Sequence, residues 1–149
     1  MTTFNLRPAR EAESAAIKEL IHEVGINPMD LDWRRFIVAV NAQDQIIATG
    51  QIKPHRNDIH ELASIAVTPE YRGQGLARAI IEYLLLDSPR PLYLTCQSKL
   101  EPFYEKFGFR SLRYEEMPRF YRRLSKLAGF VEAVAKLKDG DGLSVMKLK

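Results

Sequence analysis

The stretch Ala66-Val67-Thr68-Pro69-Glu70-Tyr71-Arg72-Gly73-Gln74-Gly75-Leu76-Ala77 decides how this chain is read. Glu61 to Val67, with Leu62, Ile65 and Val67 as its bulk, predicts a strand. Thr68-Pro69-Glu70 ends that strand, two glycines follow, and Leu76 to Leu86 predicts a helix with Leu76, Ile80, Tyr83 and Leu84 on one face. A helix start carries unpaired N–H groups and a partial positive charge. Glycines let the backbone close around an anion, because no Cβ stands in the way. Successive N–H groups can then wrap a phosphate, and Arg72 and Arg78 offer charge-assisted contacts to it. For a bare Gly-x-Gly, a plain strand-to-helix turn is the commoner explanation. Two other phosphate motifs are excluded: no Gly-Lys-Ser/Thr follows, and position 78, where a dinucleotide fingerprint needs its third glycine, is Arg78.

Working outward, Phe4 to Pro8 predicts a first strand. Ile17, Leu20, Ile21 and Val24 recur at helical spacing, and Gly25 stops that helix. Asn27-Pro28 leads into a short helical segment near Met29 to Trp33. Phe36 to Val40 and Ile46 to Ile52 predict a hairpin across Asn41–Asp44, with Gly50 as a candidate bulge. His55 to Asp58 is a second polar turn. Beyond the glycine turn, Leu92 to Cys96 predicts a strand, Leu100 to Phe107 a short helix closed by Gly108, and Phe109 to Tyr114 a strand. Pro118 to Lys138 has helical periodicity through Tyr121, Leu124, Val131 and Val134, with Gly129 a candidate break. Asp139-Gly140-Asp141-Gly142 is a turn before a last strand, Leu143 to Leu148. A central antiparallel meander followed by a βαβ crossover gives a mixed α/β sheet with flanking helices.

The 149 residues fit one domain, 1–149, with no repeat or linker. Cys96 is the sole cysteine, so no internal disulfide forms, which suits a reducing compartment. No apolar run approaches the ~20 residues of a membrane span, and Met1 to Arg10 lacks a signal core. A cytoplasmic protein is expected, without a membrane partner. The net charge of +3 is weak evidence for nucleic acid, and a polyanionic small ligand explains it equally well. No metal site is expected.

The Ala66–Ala77 stretch resembles the core motif of the GNAT superfamily of N-acetyltransferases, Arg/Gln-x-x-Gly-x-Gly/Ala after an apolar strand and a proline. Arg72, Gly75 and Ala77 fill its defined positions. Phe103-Tyr104-Glu105-Lys106-Phe107-Gly108-Phe109 is similar to a second family signature, Phe-Tyr-Glu-Lys-x-Gly-Phe, in the expected order. The likeness covers roughly Phe4 to Phe109 and the final strand; the insert Pro118–Lys138 lies outside it. It implies acetyl-CoA as co-substrate and a GNAT fold. It also implies a bulged strand Leu62–Val67 splayed from Leu92–Cys96, with pantetheine in the gap paired to backbone groups of Ile65, Ala66 and Val67. The N–H groups of Gly73, Gln74, Gly75, Leu76, Ala77 and Arg78 would hold the pyrophosphate. Many members carry Asn after the second strand of the pair; this chain has Gln97-Ser98-Lys99, and Ser98 or Gln97 is the substitute pantetheine contact.

Acetyl transfer needs a neutral amine, although a lysine-like amine has a pKa near ~10.4. The departing thiolate, of pKa roughly 8.5 by analogy with cysteine, benefits from a proton. Tyr104 stands where the family places a tyrosine facing the CoA sulfur, so it is the candidate general acid; a locally bonded, packed tyrosine is the alternative. Glu61, at the start of the strand leading to the cofactor, is the candidate general base; an exposed strand-end charge weighs equally. His60 alternates with Glu61 and faces the other side of the sheet. His55 is the weaker candidate, read as a solvated loop histidine. A backbone N–H near Val67 is the expected carbonyl polariser. Cys96 reads as a small buried hydrophobe rather than a nucleophile.

Arg119, Phe120, Tyr121, Arg122, Arg123 and Lys126 in the insert suit an acidic acceptor or a nucleic-acid surface, with a solvated basic cover helix the blander reading. Glu115 and Glu116 suit a cationic amine equally. The expected function is an acetyl-CoA-dependent N-acetyltransferase acting on a primary amine of a small molecule or a protein. The competing reading is a non-catalytic acyl-CoA-binding regulatory module on the same fold. Nucleic acid is not the expected partner, and a homodimer is left open.

Overall fold

The structure is a computed structural model that describes residues 3–135 and 142–149. It confirms the mixed α/β class. Seven strands take the order β1-β2-β3-β4-β5-β7-β6, with helices flanking the sheet. The strands are β1 (Asn5–Pro8), β2 (Phe36–Val40), β3 (Ile46–Pro54), β4 (His60–Val67), β5 (Leu92–Gln97), β6 (Arg110–Ser111) and β7 (Leu143–Leu148). The helices are α1 (Ser14–Val24), α2 (Leu76–Leu85), α3 (Glu101–Glu105) and α4 (Arg119–Ala135). Among the described residues no helix is long and apolar enough to cross a membrane. Two compact units divide the chain: residues 3–53 with 62–88, and residues 54–61 with 89–149.

In the first unit β1 and β2, and β2 and β3, pair antiparallel. α1 buries Ile17, Leu20 and Ile21 against Phe36, Val38, Val40 and Ala66. α2 buries Leu76 and Ile80 against Ala39, Ile47 and Ala48. Gly50 is not a bulge: it pairs with Ile37, and the register shift lies between Ala39 and Val40. Its missing side chain serves packing instead. A Cβ on Gly50 would run into the side chains of Ile80 and Ile65, so α2 sits on β3 only because position 50 is bare. Tyr83 does not belong to the buried face of α2. Ile81 is buried in its stead, and Tyr83 is 38% exposed. The helical segment expected at Met29–Trp33 forms later and shorter, at Trp33–Arg35. Asp30 takes φ +56, which breaks a helix, and the Asp32 carboxylate then accepts from the Arg34 N–H at 3.1 Å.

β4 contains one irregularity. Ser64 adopts φ +59 inside the strand, a conformation L-residues enter at a cost. Buried side chains satisfy what the ladder gives up there. The Thr49 hydroxyl donates to the Ser64 carbonyl at 2.9 Å, and Gln51 Nε2 donates to Ser64 Oγ at 2.8 Å.

In the second unit β5 pairs antiparallel with β7 along its whole length, from Leu92 with Leu148 to Gln97 with Leu143. Tyr93, Leu112, Tyr121 and Val145 form its core, with Ile59, Met117 and Phe120 packed against them. The strand expected over Phe109–Tyr114 shrinks to Arg110–Ser111. The chain turns away because Glu116 accepts from the Arg113 N–H at 3.1 Å and from Arg110 at 3.0 Å, closing a helical turn over Tyr114–Glu116. Those bonds, the backbone one foremost, hold the Glu116 carboxyl down at about 2. α4 runs through Gly129 without a break. Tyr121 is fully buried, whereas Leu124 is 40% exposed. The expected contributions of Val131 and Val134, and the turn at 139–142, concern side chains and residues outside the described ones, Gly142 excepted.

Candidate active site

The anion-binding turn is built by main chain. After β4, Pro69–Tyr71 forms one helical turn. Gly73 and Gly75 then take φ +77 and φ +82, and Gly75 is the cap residue of α2, with no side chain bonding to the helix start. The Gly75 carbonyl accepts from the Ala79 N–H at 3.0 Å, so the helical ladder begins there. The N–H groups of Leu76, Ala77 and Arg78 lie ahead of that ladder and have no helical acceptor. Leu76 is buried and anchors the first turn. The Arg78 Nε–H donates to Glu82 at 2.7 Å in an exposed i,i+4 pair, a bond that uses one of the five guanidinium donors. The Gln74 side-chain oxygen is buried with no hydrogen-bond partner among the described residues. In β4, Ala66 is buried in the core beneath α1, while Ile65 and Val67 pack against the α2 core.

The second unit brings chemistry together through side chains. Glu61 is paired with Tyr93 where β4 and β5 run parallel. Its carboxylate lies 2.7 Å from His55 Nε2, and Thr95 Oγ1 donates to its other oxygen at 3.4 Å. The His55 and Glu61 side chains are 18% and 13% exposed. His55 is therefore not a solvated loop histidine. Its ring stacks on Phe120 of α4, centroids 4.5 Å apart and planes at 26°. Phe120 meets Tyr121 edge-on at 4.9 Å, and Tyr121 tilts against Tyr93 at 5.4 Å. Burial, then the charge of Glu61, pushes the Tyr121 hydroxyl well above its ordinary range, so it stays a neutral donor. That hydroxyl is buried and finds no hydrogen-bond partner among the described residues. Buried polar groups are normally paired, so the cluster keeps unused bonding capacity beside its carboxylate.

Tyr104 is buried on α3, with Phe103 at 5.1 Å and Phe109 at 6.2 Å as edge-on neighbours. Burial first, and the electrostatic influence of Cys96 second, pushes its hydroxyl up to about 12, so it holds its proton at neutral pH. Cys96 is buried 3.9 Å from the Met146 sulfur. The Ser98 hydroxyl bonds to Ser144 at 2.9 Å, and Ser144 in turn donates to Glu101, so the Ser98 hydrogen is engaged and its oxygen can still accept. On α4, Arg119, Arg122, Arg123 and Lys126 fall at i, i+3, i+4 and i+7, one helical face, and with Tyr114 they line an open cleft of about 350 Å³.

The model of the acetyltransferase (GNAT) domain matches residues 32–111, more than half of the chain. The chain belongs to the GNAT acetyltransferase family. GNAT folds recur among solved structures. N-acetylglutamate synthase from Neisseria gonorrhoeae, complexed with coenzyme A and N-acetyl-glutamate, superposes with a TM-score of 0.71 at 13% identity, over 100% of this chain and 36% of that one. This chain thus spans about a third of the synthase. A Mycobacterium tuberculosis protein, Rv2747, in complex with CoA gives 0.70 at 21% identity, over 97% and 98% of the two chains. Escherichia coli ElaA gives 0.65 at 17%, over 100% of both. The GNAT match contains Glu61, His55, Thr95, Tyr104 and the whole 72–78 turn, but ends before α4.

The sequence offered His55 only as the weaker candidate and Phe120 and Tyr121 only as acceptor-side residues, and gave no sign that they and Thr95 meet around Glu61. The usable signal was the pairing of a turn histidine with a carboxylate six residues on, across one hairpin.

Proposed function

We propose that the protein is an acetyl-CoA-dependent N-acetyltransferase acting on a primary amine. The observation that carries this reading is the start of α2. Two left-handed glycines open a helix with no side-chain cap, inside the region the family model matches. Such an end offers N–H groups and a positive field to a pyrophosphate. The CoA bound in two of the structural relatives supports the same donor.

In the proposed reaction Glu61 takes a proton from the amine, directly or through water. The neutral nitrogen attacks the acetyl carbonyl, polarised by a backbone N–H near Val67. The C–S bond breaks, and Tyr104 gives its proton to the departing thiolate. The nitrogen, cationic after attack, loses its second proton through solvent to the Tyr104 phenolate, and Glu61 releases its proton to solvent. No covalent enzyme intermediate forms, so Cys96 stays a packing residue. Ile65, Ala66 and Val67 would pair with pantetheine through their main chain, with Ser98 able to contribute as an acceptor while its own hydrogen stays on Ser144. Residues 1–149 act as a single domain in this reading.

The acceptor is a small molecule or a protein amino group. The cationic face of α4 favours one that carries negative charge beside its amine. The test is release of CoA thiol from acetyl-CoA across a panel of acidic, neutral and basic amines. Thiol release with at least one amine is expected, and Tyr104→Phe should cut kcat by about 10²-fold or more while acetyl-CoA still binds. Binding of acetyl-CoA with no thiol release across the panel would favour a non-catalytic acyl-CoA-binding module.

A further inference from the structure

We infer that His55 is a positioning residue for Glu61, and that α4, outside the family match, is the part of this chain that fixes it in place. The inference rests on the acetyltransferase reading above and adds to it an element that the reading does not need.

The argument starts from the turn. His55 leaves β3 next to Pro54 and enters a turn in which Asn57 and Asp58 both take positive φ. The His55 N–H donates to the Ile59 carbonyl at 2.7 Å, which closes the turn and sets the backbone from which the imidazole projects. A carboxylate at Glu61 with only solvent around it would rotate among several rotamers. Here one oxygen meets His55 Nε2 at 2.7 Å and the other meets Thr95 at 3.4 Å, so both ends of the carboxylate are held. The remaining freedom is that of the imidazole itself, and Phe120 removes it. A ring stacked at 4.5 Å and 26° admits the histidine in one plane. Phe120 is set in turn by Tyr121, which is fully buried against Tyr93.

The chain of support therefore runs from α4 through Phe120 to His55 and from there to Glu61. Its members come from the turn, from β4, from β5 and from α4, all within residues 54–61 and 89–149. The titratable groups packed around the pair are the neutral phenols of Tyr93 and Tyr121, with the Lys147 ammonium 5.8 Å from the Tyr93 ring. Neither phenol competes for the Glu61 proton, because burial raises both. A general base must point at the proton it takes, and misplacement by about 1 Å costs on the order of 10²-fold in rate. A base held at both oxygens keeps that aim without induced fit.

Two measurements test this, one of them independent of activity. In steady-state thiol release, His55→Ala should lower kcat about 10- to 100-fold, with KM for acetyl-CoA changed less than about twofold. His55→Gln, whose amide nitrogen reaches where Nε2 stood, should recover kcat to within about threefold of the parent. Phe120→Ala should fall between the two. In ¹H–¹⁵N spectra of the imidazole, a hydrogen-bonded His55 Nε2–H should be present in the parent, absent in Glu61→Ala and weakened in Phe120→Ala. His55→Ala at parental kcat, or His55→Gln as slow as His55→Ala with both folded, overturns the inference. So does a parent spectrum without the Nε2–H signal. A parent that shows the signal yet releases no thiol overturns the acetyltransferase reading alone.

Discussion

The 72–78 turn and the Glu61 cluster are built of different materials. The turn presents main-chain N–H groups ahead of a helix that two left-handed glycines open. The cluster is made of side chains delivered by a turn, two strands and a helix. A main-chain site survives any substitution that leaves the backbone path intact, so only the residues that set the path are constrained. A side-chain site fails one residue at a time. In the proposed reaction the donor half is therefore written as a short motif, whereas the base and its supports are scattered over His55, Glu61, Thr95 and Phe120.

The largest expected effect follows from that contrast. Glu61→Gln removes the proton acceptor but keeps the shape and two hydrogen-bonding atoms. We expect kcat to fall about 10²- to 10⁴-fold, with acetyl-CoA affinity unchanged when measured by calorimetry. A loss below about tenfold would mean that the carboxylate only braces the cluster, and that water or another group takes the amine proton.

The turn answers to a different test and a smaller number. Gly75→Ala forces an L-residue to φ +82, at a cost of roughly 1–2 kcal/mol in the folded state. Beyond its own chain neighbours, no atom of the described residues lies within 4 Å of the position the new methyl would take, so the fold there has room for it. Strain shared by free and bound protein leaves affinity untouched. A drop in acetyl-CoA affinity of about tenfold, beyond the loss of thermal stability, would thus report crowding of the phosphate. A variant that is less stable but binds acetyl-CoA as before would make Gly73 and Gly75 turn residues and nothing more.

The same contrast explains what was legible in the sequence. β2 and β7 have the bounds that their runs of Phe36–Val40 and Leu143–Leu148 announced, because alternation and β-branched bulk are local properties. The 72–78 turn was legible because its conformation is set by glycine. Other features depended on partners. Gly50 looked like a bulge, yet its bareness answers to Ile80 and Ile65, neither of which is near it in sequence. Tyr83 and Ile81 are both compatible with a helical face. Packing chose the aliphatic residue and left the phenol partly exposed at the rim. His55 sat in a polar turn with no periodicity to follow, and its role rests on a stacking partner in α4 that no spacing rule connects to it.

The smallest effect is expected at the cationic face of α4, and it bears on whether side-chain sites here extend to acceptor choice. Four like charges at i, i+3, i+4 and i+7 oppose helix formation in isolation, and Arg122 relieves its own position by donating to the Met117 carbonyl at 3.0 Å. Glu116, the neighbouring acid, is already engaged by Arg110 and Arg113 and does not neutralise the face. The double variant Arg119→Glu with Arg123→Glu should raise KM for amines carrying a carboxylate by about two- to tenfold, the range of exposed, salt-screened contacts. KM for neutral amines and for acetyl-CoA should stay as they were, and the difference should shrink in high salt. An equal effect on all amines would locate the change in the field of the whole domain rather than in acceptor contact. No effect on any would leave α4 its other task, to hold Phe120 against His55, and would confine side-chain recognition in this chain to the base.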